Sequence, residues 1–491
     1  MRPGGTTCSS AGTDRGMAAD PVADAALADA AARVAAAAPQ VVLDLIDQLV
    51  AGGHSGWVVG GSLRDVLLGR APDDWDLATD ALPERLVALF PGAVYENRFG
   101  TVAIRRRDEL FEVTTFRTEH DYADFRRPHR VEFGEDLVAD LARRDFTVNA
   151  MAWGRGPGAA DTDGTEWPTL VDPFGGLADL AAGTLRAVGD AHARFREDAL
   201  RMVRAVRLAA ALGFAIEPAT LAAITANAAL VGRLSGERIG AELGKILETP
   251  KPSVGLALAQ QTGLLAVISP QLALQRGVPQ NKAPGEDLWD HTLRTVDAAP
   301  ADRPVVRLAA LLHDIGKVET LADGHFPHHE AAGAARADEL LRRLRYPRSA
   351  ADEVVHLIRH HMFGADLTLS DAAIRRFIMR IGRDKLDALF ALRRADDAGS
   401  GTAGDDPVLT AFIARVHAEL TADVPLDRNA LAVDGTDLMG ELGMTQGPRL
   451  GLVIDELLDR VVVDPGLNER GSLLLLAQGI LANMDKDPVA S

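Results

Sequence analysis

Cysteine is almost missing from this chain: Cys8 is the single one in 491 residues. An intramolecular disulfide is therefore excluded, and the composition suits a reducing, cytoplasmic setting. No apolar run approaches the roughly 20 residues needed to cross a bilayer, so no membrane association is expected. The first 40 residues show no ordered series of basic, apolar and cleavage segments of the secretory kind. Positive charge is scarce as well, with 52 Lys and Arg against 70 Asp and Glu and a net charge of −18. That balance argues against a surface that binds nucleic acid everywhere and leaves room only for local basic tracks.

What is present is a chain with 47% hydrophobic residues and room for three or four domains. Residues 1–40 read as a disordered tail that turns helical near Ala23, and Met17 is a conceivable alternative start. Alternating strand and helix patterns predict a mixed α/β head over 41–185. Ala- and Leu-rich 3.6-residue patterns predict a helical neck over 186–255, a helical body over 256–400 and a helical tail over 401–491. The run Gly154-Arg155-Gly156-Pro157-Gly158 reads as a loop insertion in the head.

The head opens with Trp57-Val58-Val59, a buried strand, followed by Gly60-Gly61-Ser62-Leu63-Arg64-Asp65. The glycines allow a tight turn with close approach to an anion, and a helix from Ser62 would aim free N–H groups and its positive dipole end at a triphosphate. Arg64 adds a cationic fork. Asp74-Trp75-Asp76 follows, and if it is a strand its two carboxylates point to one face. Mg²⁺ prefers such oxygen ligands, and paired Mg²⁺ ions can activate an attacking hydroxyl and stabilise leaving pyrophosphate. Glu112, in the alternating Phe111-Glu112-Val113-Thr114, is the candidate third carboxylate. Nucleotidyl transfer is the chemistry this set implies.

Four further segments complete an ordered series: Arg143-Arg144-Asp145-Phe146-Thr147-Val148-Asn149-Ala150, Asp172-Pro173-Phe174-Gly175-Gly176, Glu197-Asp198-Ala199-Leu200-Arg201 and Ser235-Gly236-Glu237-Arg238-Ile239. From about residue 41 to 250 the chain resembles the class II CCA-adding tRNA nucleotidyltransferases, within the superfamily that includes bacterial poly(A) polymerases. The resemblance implies that Asp74 and Asp76 bind the catalytic metal, that Gly60, Gly61 and Arg64 hold the triphosphate, and that Arg144, Asp145 and Asn149 lie near the nucleotide, the last two facing its ribose. It implies CTP and ATP as substrates and the acceptor end of tRNA as partner, with no stable protein partner. The polar stretch Glu119–Pro128 reads as a mobile loop and resembles the flexible loop of enzymes that add all three nucleotides. Poly(A) polymerase, or an enzyme adding only CC or only A, remains an alternative.

The run His192–Ala210 has helical periodicity throughout and predicts one long helix, on which Asp198 and Arg201 are i,i+3 neighbours. A carboxylate beside a guanidinium accepts from the amino group and donates to the ring nitrogen of cytosine or adenine. Uracil and guanine present the reverse order, so the pair can act as a protein template for C and A. Arg194, Arg196, Arg204 and Arg207 share this segment, and Arg204 joins the nucleotide-site candidates. Arginines also cluster at 105–107, 126–127 and 143–144 and at Arg342, Arg343, Arg345 and Arg348, suggesting a basic seam on an acidic body.

Farther on, His291, His313-Asp314, His329, His360-His361 and Asp396 lie among amphipathic helices. Imidazole and carboxylate together suit a divalent transition metal. Leu311-Leu312-His313-Asp314-Ile315-Gly316-Lys317 resembles the core of the HD phosphohydrolases. That resemblance implies a mononuclear ligand set of His291, His313, Asp314 and Asp396, with His329 and His360 completing a binuclear one, and a phosphatase or phosphodiesterase activity.

Overall fold

The structure, a computed structural model, describes residues 21–95, 100–122, 128–157, 168–280, 285–401, 406–422 and 424–484. Two compact units divide the chain, Met1–Arg233 and Leu234–Ser491. The neck segment 186–255 contributes to both. Among the described residues no single helix is long and apolar enough to cross a membrane.

The first unit is built on strands β1 (Gly56–Val59), β2 (Asp76–Thr79), β3 (Val94–Tyr95), β4 (Thr101–Arg106), β5 (Glu109–Thr115), β6 (Arg117–Tyr122), β7 (Pro128–Phe133), β8 (Ala152–Arg155) and β9 (Thr169–Val171). Seven form one sheet in the order β3-β4-β5-β2-β1-β8-β9. Every pairing in it is antiparallel except β2 with β5, which run parallel with Leu77 opposite Val113. This mixed α/β sheet with helices, followed by a mainly helical remainder, is the architecture expected from the pattern of the sequence. Period-2 alternation explains the central strand β5, which buries Phe111, Val113 and Thr115 and leaves Glu112 exposed.

Three local expectations need correction. Gly154 and Arg155 are not in a loop insertion but in β8, where a Cβ on Gly154 would lie 2.1 Å from the carbonyl oxygen of Gly56, so the glycine permits close strand packing. The segment expected as a mobile loop is mostly an antiparallel ribbon of β6 with β7, and its centre, residues 123–127, lies outside the described residues. The long helix expected over 192–210 is two helices, Ala191–Glu197 and Leu200–Leu212, because Asp198 is extended (φ −137°, ψ 105°) and its carboxylate accepts the Leu200 N–H. An Asp that satisfies a free N–H at a helix start competes with the continuous helix its neighbours favour.

The second unit is helical. Its relevant helices are Gly236–Leu247, Leu288–Ala298, Pro304–Leu312, His329–Arg343, Arg348–His360, Asp371–Ile381 and Leu386–Gly399. Leu308 to Leu312, with Val354, Leu357, Ile358, Leu389 and Leu392, belong to its buried apolar interior. A separate apolar cluster near the end of the chain joins Leu438, Val453, Leu457, Val461, Leu473 and Ala477.

Candidate active site and metal centre

Gly60 caps the short helix Gly61–Leu67 with φ 81° and no side-chain bond, so the first N–H groups stay open toward the site. A Cβ at Gly60 would stand 3.4 Å from Arg144 Nη1 and 3.9 Å from an Asp76 oxygen, and one at Gly61 would stand 3.4 Å from Arg64 Nη2. The two glycines thus leave a cradle between two guanidinium groups and a carboxylate.

Asp76 begins β2, and the parallel register sets it beside Glu112, both on the face opposite buried Leu77 and Val113. Asp74 lies before the strand and is exposed, so the expected strand geometry holds for Asp76 but not for Asp74. The three acids still act on one another. Burial, then the charges of Asp74 and Glu112, push the Asp76 carboxyl up to about 6 against the opposing pull of Arg144. A buried carboxylate raised by two neighbouring acids belongs to a donor set matched to a hard divalent ion.

Behind the cradle runs a continuous polar chain. Arg64 donates to both oxygens of Asp65 at 3.0 and 2.8 Å and to Asn149 Oδ1 at 2.8 Å. Asn149 donates to Asp145 Oδ1 at 3.1 Å, and Arg204 grips Asp145 Oδ2 from 2.8 and 2.9 Å. Burial alone would raise the Asp145 carboxyl. The charge of Arg204, the bonds from Asn149 and Arg204, and the charge of Arg201 outweigh it and hold the group at about 2. Asp145 is thus a fixed anion that orients its neighbours.

Arg201 is buried and turned to Glu197 Oε2 at 2.9 Å, to the Arg194 carbonyl at 3.3 Å and to the Arg143 carbonyl at 2.6 Å. It does not share a helix with Asp198, and among the hydrogen bonds just described it is Glu197 that takes the side-chain role. Two residues escaped sequence reasoning. Glu197 joins Arg194 and Arg201, at spacings i+3 back and i+4 forward. Asp140, 1% exposed, accepts from Arg143 at 2.7 and 3.0 Å and from Arg144 at 3.3 Å, fixing the second guanidinium of the cradle. The helical i,i+3 and i,i+4 spacing of Asp140 to these arginines was the available signal. Asp172 has a structural task, accepting the Gly176 and Leu177 N–H groups that open the helix Gly176–Ala182.

The second unit gathers His291, His313 and Asp396 into one triplet and Asp314, His329 and His361 into another, each with its ligand atoms within 4.8 Å of one another. His291 comes from the helix Leu288–Ala298, Asp396 from Leu386–Gly399, and His313-Asp314 from the turn that ends Pro304–Leu312. His361, not the expected His360, completes the set; His360 instead turns to His356, with ring centroids 4.6 Å apart. The helix ends at His360, and one further residue rotates the side chain by about 100° around the axis, which decides which imidazole points inward.

His313, His329 and His361 each hold Nδ1 on a backbone carbonyl, of Ala310, Phe326 and Ile358, at 2.7–2.9 Å. For His329 and His361 that bond fixes the tautomer whose Nε2 lone pair faces inward. Nε2 of His329 and of His361 and Oδ1 of Asp314 are buried without a hydrogen-bond partner among the described residues. Inward-facing lone pairs with nothing to accept from are what a divalent metal with nitrogen and oxygen ligands would satisfy. Lys317 binds the other Asp314 oxygen at 2.6 Å. Burial opposes ionisation of Asp314, but the charges of His313 and Lys317 and bonds from His291 and His313 keep it well below the usual carboxylate range.

Comparison with known proteins finds matches to three domain families along the chain. The poly A polymerase head domain matches residues 56–186, the probable RNA and SrmB-binding site of polymerase A matches 213–275, and the HD domain matches 284–398. The chain is 45% identical over 230 residues to the CCA-adding enzyme of Geobacillus stearothermophilus, an alignment covering 47% of this chain and 54% of that relative, so it spans about half of that relative's length. It is 32% identical over 451 residues to the CCA-adding enzyme of Lactiplantibacillus plantarum, covering 89% of this chain and 96% of that one. Its fold matches the crystal structure of the Bacillus stearothermophilus CCA-adding enzyme in complex with CTP with a TM-score of 0.68 at 30% identity, over 91% of this chain and 98% of that one. The chain belongs to the family of CCA-adding enzymes.

Proposed function

We propose that this protein adds C, C and A to the 3′ end of tRNA without a nucleic-acid template, using CTP and ATP and releasing pyrophosphate. The observation that carries this reading is the shared face of Asp76 and Glu112 beside a glycine cradle flanked by Arg64 and Arg144. Asp74, Asp76 and Glu112 would hold Mg²⁺, which when bound would supply activation of the RNA 3′ hydroxyl and charge stabilisation at the departing pyrophosphate. Gly60, Gly61, Arg64 and Arg144 take the triphosphate. Asp145 and Asn149 set the ribose, and Arg204 fixes Asp145.

Asp198 and Arg201 read the base. The carboxylate accepts from the amino group of C or A, and the guanidinium donates to the adjacent ring nitrogen. The contacts of Arg201 with Glu197 and Arg143 restrict where its fork can point, which sharpens rejection of U and G. A cytoplasmic location fits the single cysteine. RNA-dependent pyrophosphate release from CTP, but not from UTP or GTP, tests this assignment; release from all four at similar rates removes it.

For the second unit we propose a transition-metal centre of His291, His313, Asp314, His329, His361 and Asp396 that hydrolyses phosphate esters. Support comes from the inward-facing unpartnered atoms of His329, His361 and Asp314. Metal analysis of the purified protein, with ester hydrolysis assayed under added Ni²⁺, Mn²⁺ or Co²⁺, decides it.

A further inference from the structure

Between the helices Leu386–Gly399 and Pro407–Thr421 lies an open cavity of about 830 Å³, with the turn after the helix Leu288–Ala298 as a further wall. It belongs wholly to the second unit, and none of the metal-ligand candidates lines it. Its size falls within the roughly 300–1,000 Å³ of small-molecule sites. The sequence explains its shape. Asp387, Ala391 and Arg394 recur at steps of four and three on one helix, and Thr410, Ala414 and His417 do the same on the other, so each helix turns one continuous face to the cavity. Ala391 and Ala395 keep the first wall short, and Phe390 and Ile413, 3% and 8% exposed, form an apolar floor.

The chemistry of the lining is mixed. The ring of His417 meets that of Phe390 edge-on, with centroids 6.3 Å apart and planes at 71°, and His417 Nε2 stands 3.4 Å from an Asp387 oxygen. Around this aromatic wall the rim is charged. Arg303 and Arg394 are exposed, and neither forms an ion pair with a described residue; Arg303 gives one N–H to the Asp387 carbonyl at 3.2 Å. The exposed Asp302 carboxylate has no hydrogen bond or ion pair with a described residue either. By contrast Arg393, next to Arg394 on the same helix, is paired with Asp397 at 3.0 Å. A simple anion in this cavity would leave the aromatic wall idle, and an apolar molecule would leave the guanidinium groups idle. A ligand with a flat ring bearing N–H donors and an anionic group at some distance from it would use every part: the ring on Phe390 and His417, the donors on Asp387 or Asp302, and the anion between Arg303 and Arg394.

We infer that this cavity binds a free nucleoside phosphate, its base against Phe390 and His417 and its phosphates between Arg303 and Arg394. The site is separate from the triphosphate cradle of Gly60, Gly61 and Arg64 in the first unit, and the inference goes beyond the proposed reaction without depending on it. The occupant is a free nucleotide and not the substrate RNA, because the nucleotides inside a folded RNA keep their bases stacked and cannot offer a ring to a walled cavity without first being unstacked.

The test counts labelled ATP and CTP bound per full chain by equilibrium dialysis with Mg²⁺, up to millimolar nucleotide. The parent should bind two nucleotides per chain. The double variant Arg303→Gln, Arg394→Gln should weaken one of them by at least about tenfold, the scale of a lost charge-assisted hydrogen bond. Arg64→Gln with Arg144→Gln should weaken the other and keep this one. Ala414→Phe, which fills the cavity without changing its charge, should act like the Arg303→Gln, Arg394→Gln variant, so a folding defect in either one leaves the other to decide. Arg348→Gln, which removes an arginine paired with Asp352 away from the cavity lining, should keep both. A single nucleotide per chain, weakened only by Arg64→Gln with Arg144→Gln, would overturn the inference and leave the proposed function standing. In that same variant, pyrophosphate competing as tightly as ATP would overturn it too, since the base would then have no part, and so would displacement of the remaining ATP by a tRNA transcript lacking its CCA. If the parent fails to extend that transcript yet binds a nucleotide that Arg303→Gln with Arg394→Gln weakens, the reading of function fails and the inference stands.

Discussion

Arg204 clasps Asp145 at 2.8 Å, and through Asn149 this pair reaches Arg64 at the other side of the cradle. The helix Leu200–Leu212, which carries Arg201, is thereby wired to the cradle of Gly60, Gly61 and Arg64. Arg204→Ala should cut kcat/KM for both CTP and ATP by about one to two orders of magnitude, as expected when a charge-assisted bond worth about 1.5–3 kcal/mol is lost at a reacting site. Steady-state kinetics with each nucleotide checks it.

The same pair has a pH signature. Asp145 is held at about 2, below the roughly 3.9 of an unfolded aspartate, so it stabilises the fold fully above pH 4. That contribution fades as pH falls through 4 toward 2. Arg204→Ala should therefore narrow the difference in Tm between pH 7 and pH 3 relative to the parent, measured by calorimetry with each protein alone.

Asp76 shifts the opposite way. Pushed to about 6 by burial, Asp74 and Glu112, it must lose a proton before it can serve a cation. Mg²⁺ affinity should fall as pH is lowered through 6, by about tenfold per unit below it. Asp74→Asn removes one repelling charge and should move that inflection to lower pH. Fluorescence of Trp75, which lies between the two aspartates, gives the readout during Mg²⁺ titration.

Asp140 anchors Arg143 and Arg144 from a fully buried position. Its ionised state is favoured because Arg143 and Arg144 outweigh the cost of burial. Asp140→Asn should lower Tm, reflecting a loss of about 1–3 kcal/mol for a buried ion left under-satisfied, and should reduce kcat more than it raises KM for CTP. Equal kcat with an altered Tm would confine Asp140 to a structural task.

In the second unit the two adjacent histidines should separate cleanly. His361→Ala removes an inward-facing nitrogen and should lower bound metal measured by elemental analysis, whereas His360→Ala should leave the metal content at the parent level. The opposite result would return His360 to the centre.

Much of this was legible in the sequence because it is local. Gly60-Gly61, the strand β2 with Asp76, and the alternation that exposes Glu112 are short-range patterns whose chemistry follows from spacing. What periodicity could not reveal were choices made by a single competing contact. Asp198 accepts the Leu200 N–H and splits a pattern that would otherwise run as one helix. One residue of helix rotation decided between His360 and His361. The partners of Arg201 and Arg204 lie 58 and 59 positions away, at Arg143 and Asp145, and only folding brings them together. Part of the arginine cluster near 342–348 is likewise spent on acids, Arg342 on Asp338 and Arg348 on Asp352, and such a cluster counts as a cationic patch only after its carboxylate partners are known.

The most direct test of the central claim is extension of a tRNA transcript lacking its CCA, with Mg²⁺ and CTP alone, ATP alone or both, resolved to single nucleotides. Two additions with CTP, and a third and last one only when ATP is also present, is the outcome that CCA addition requires. A long ladder of A with ATP alone, or no extension under any condition, would contradict it.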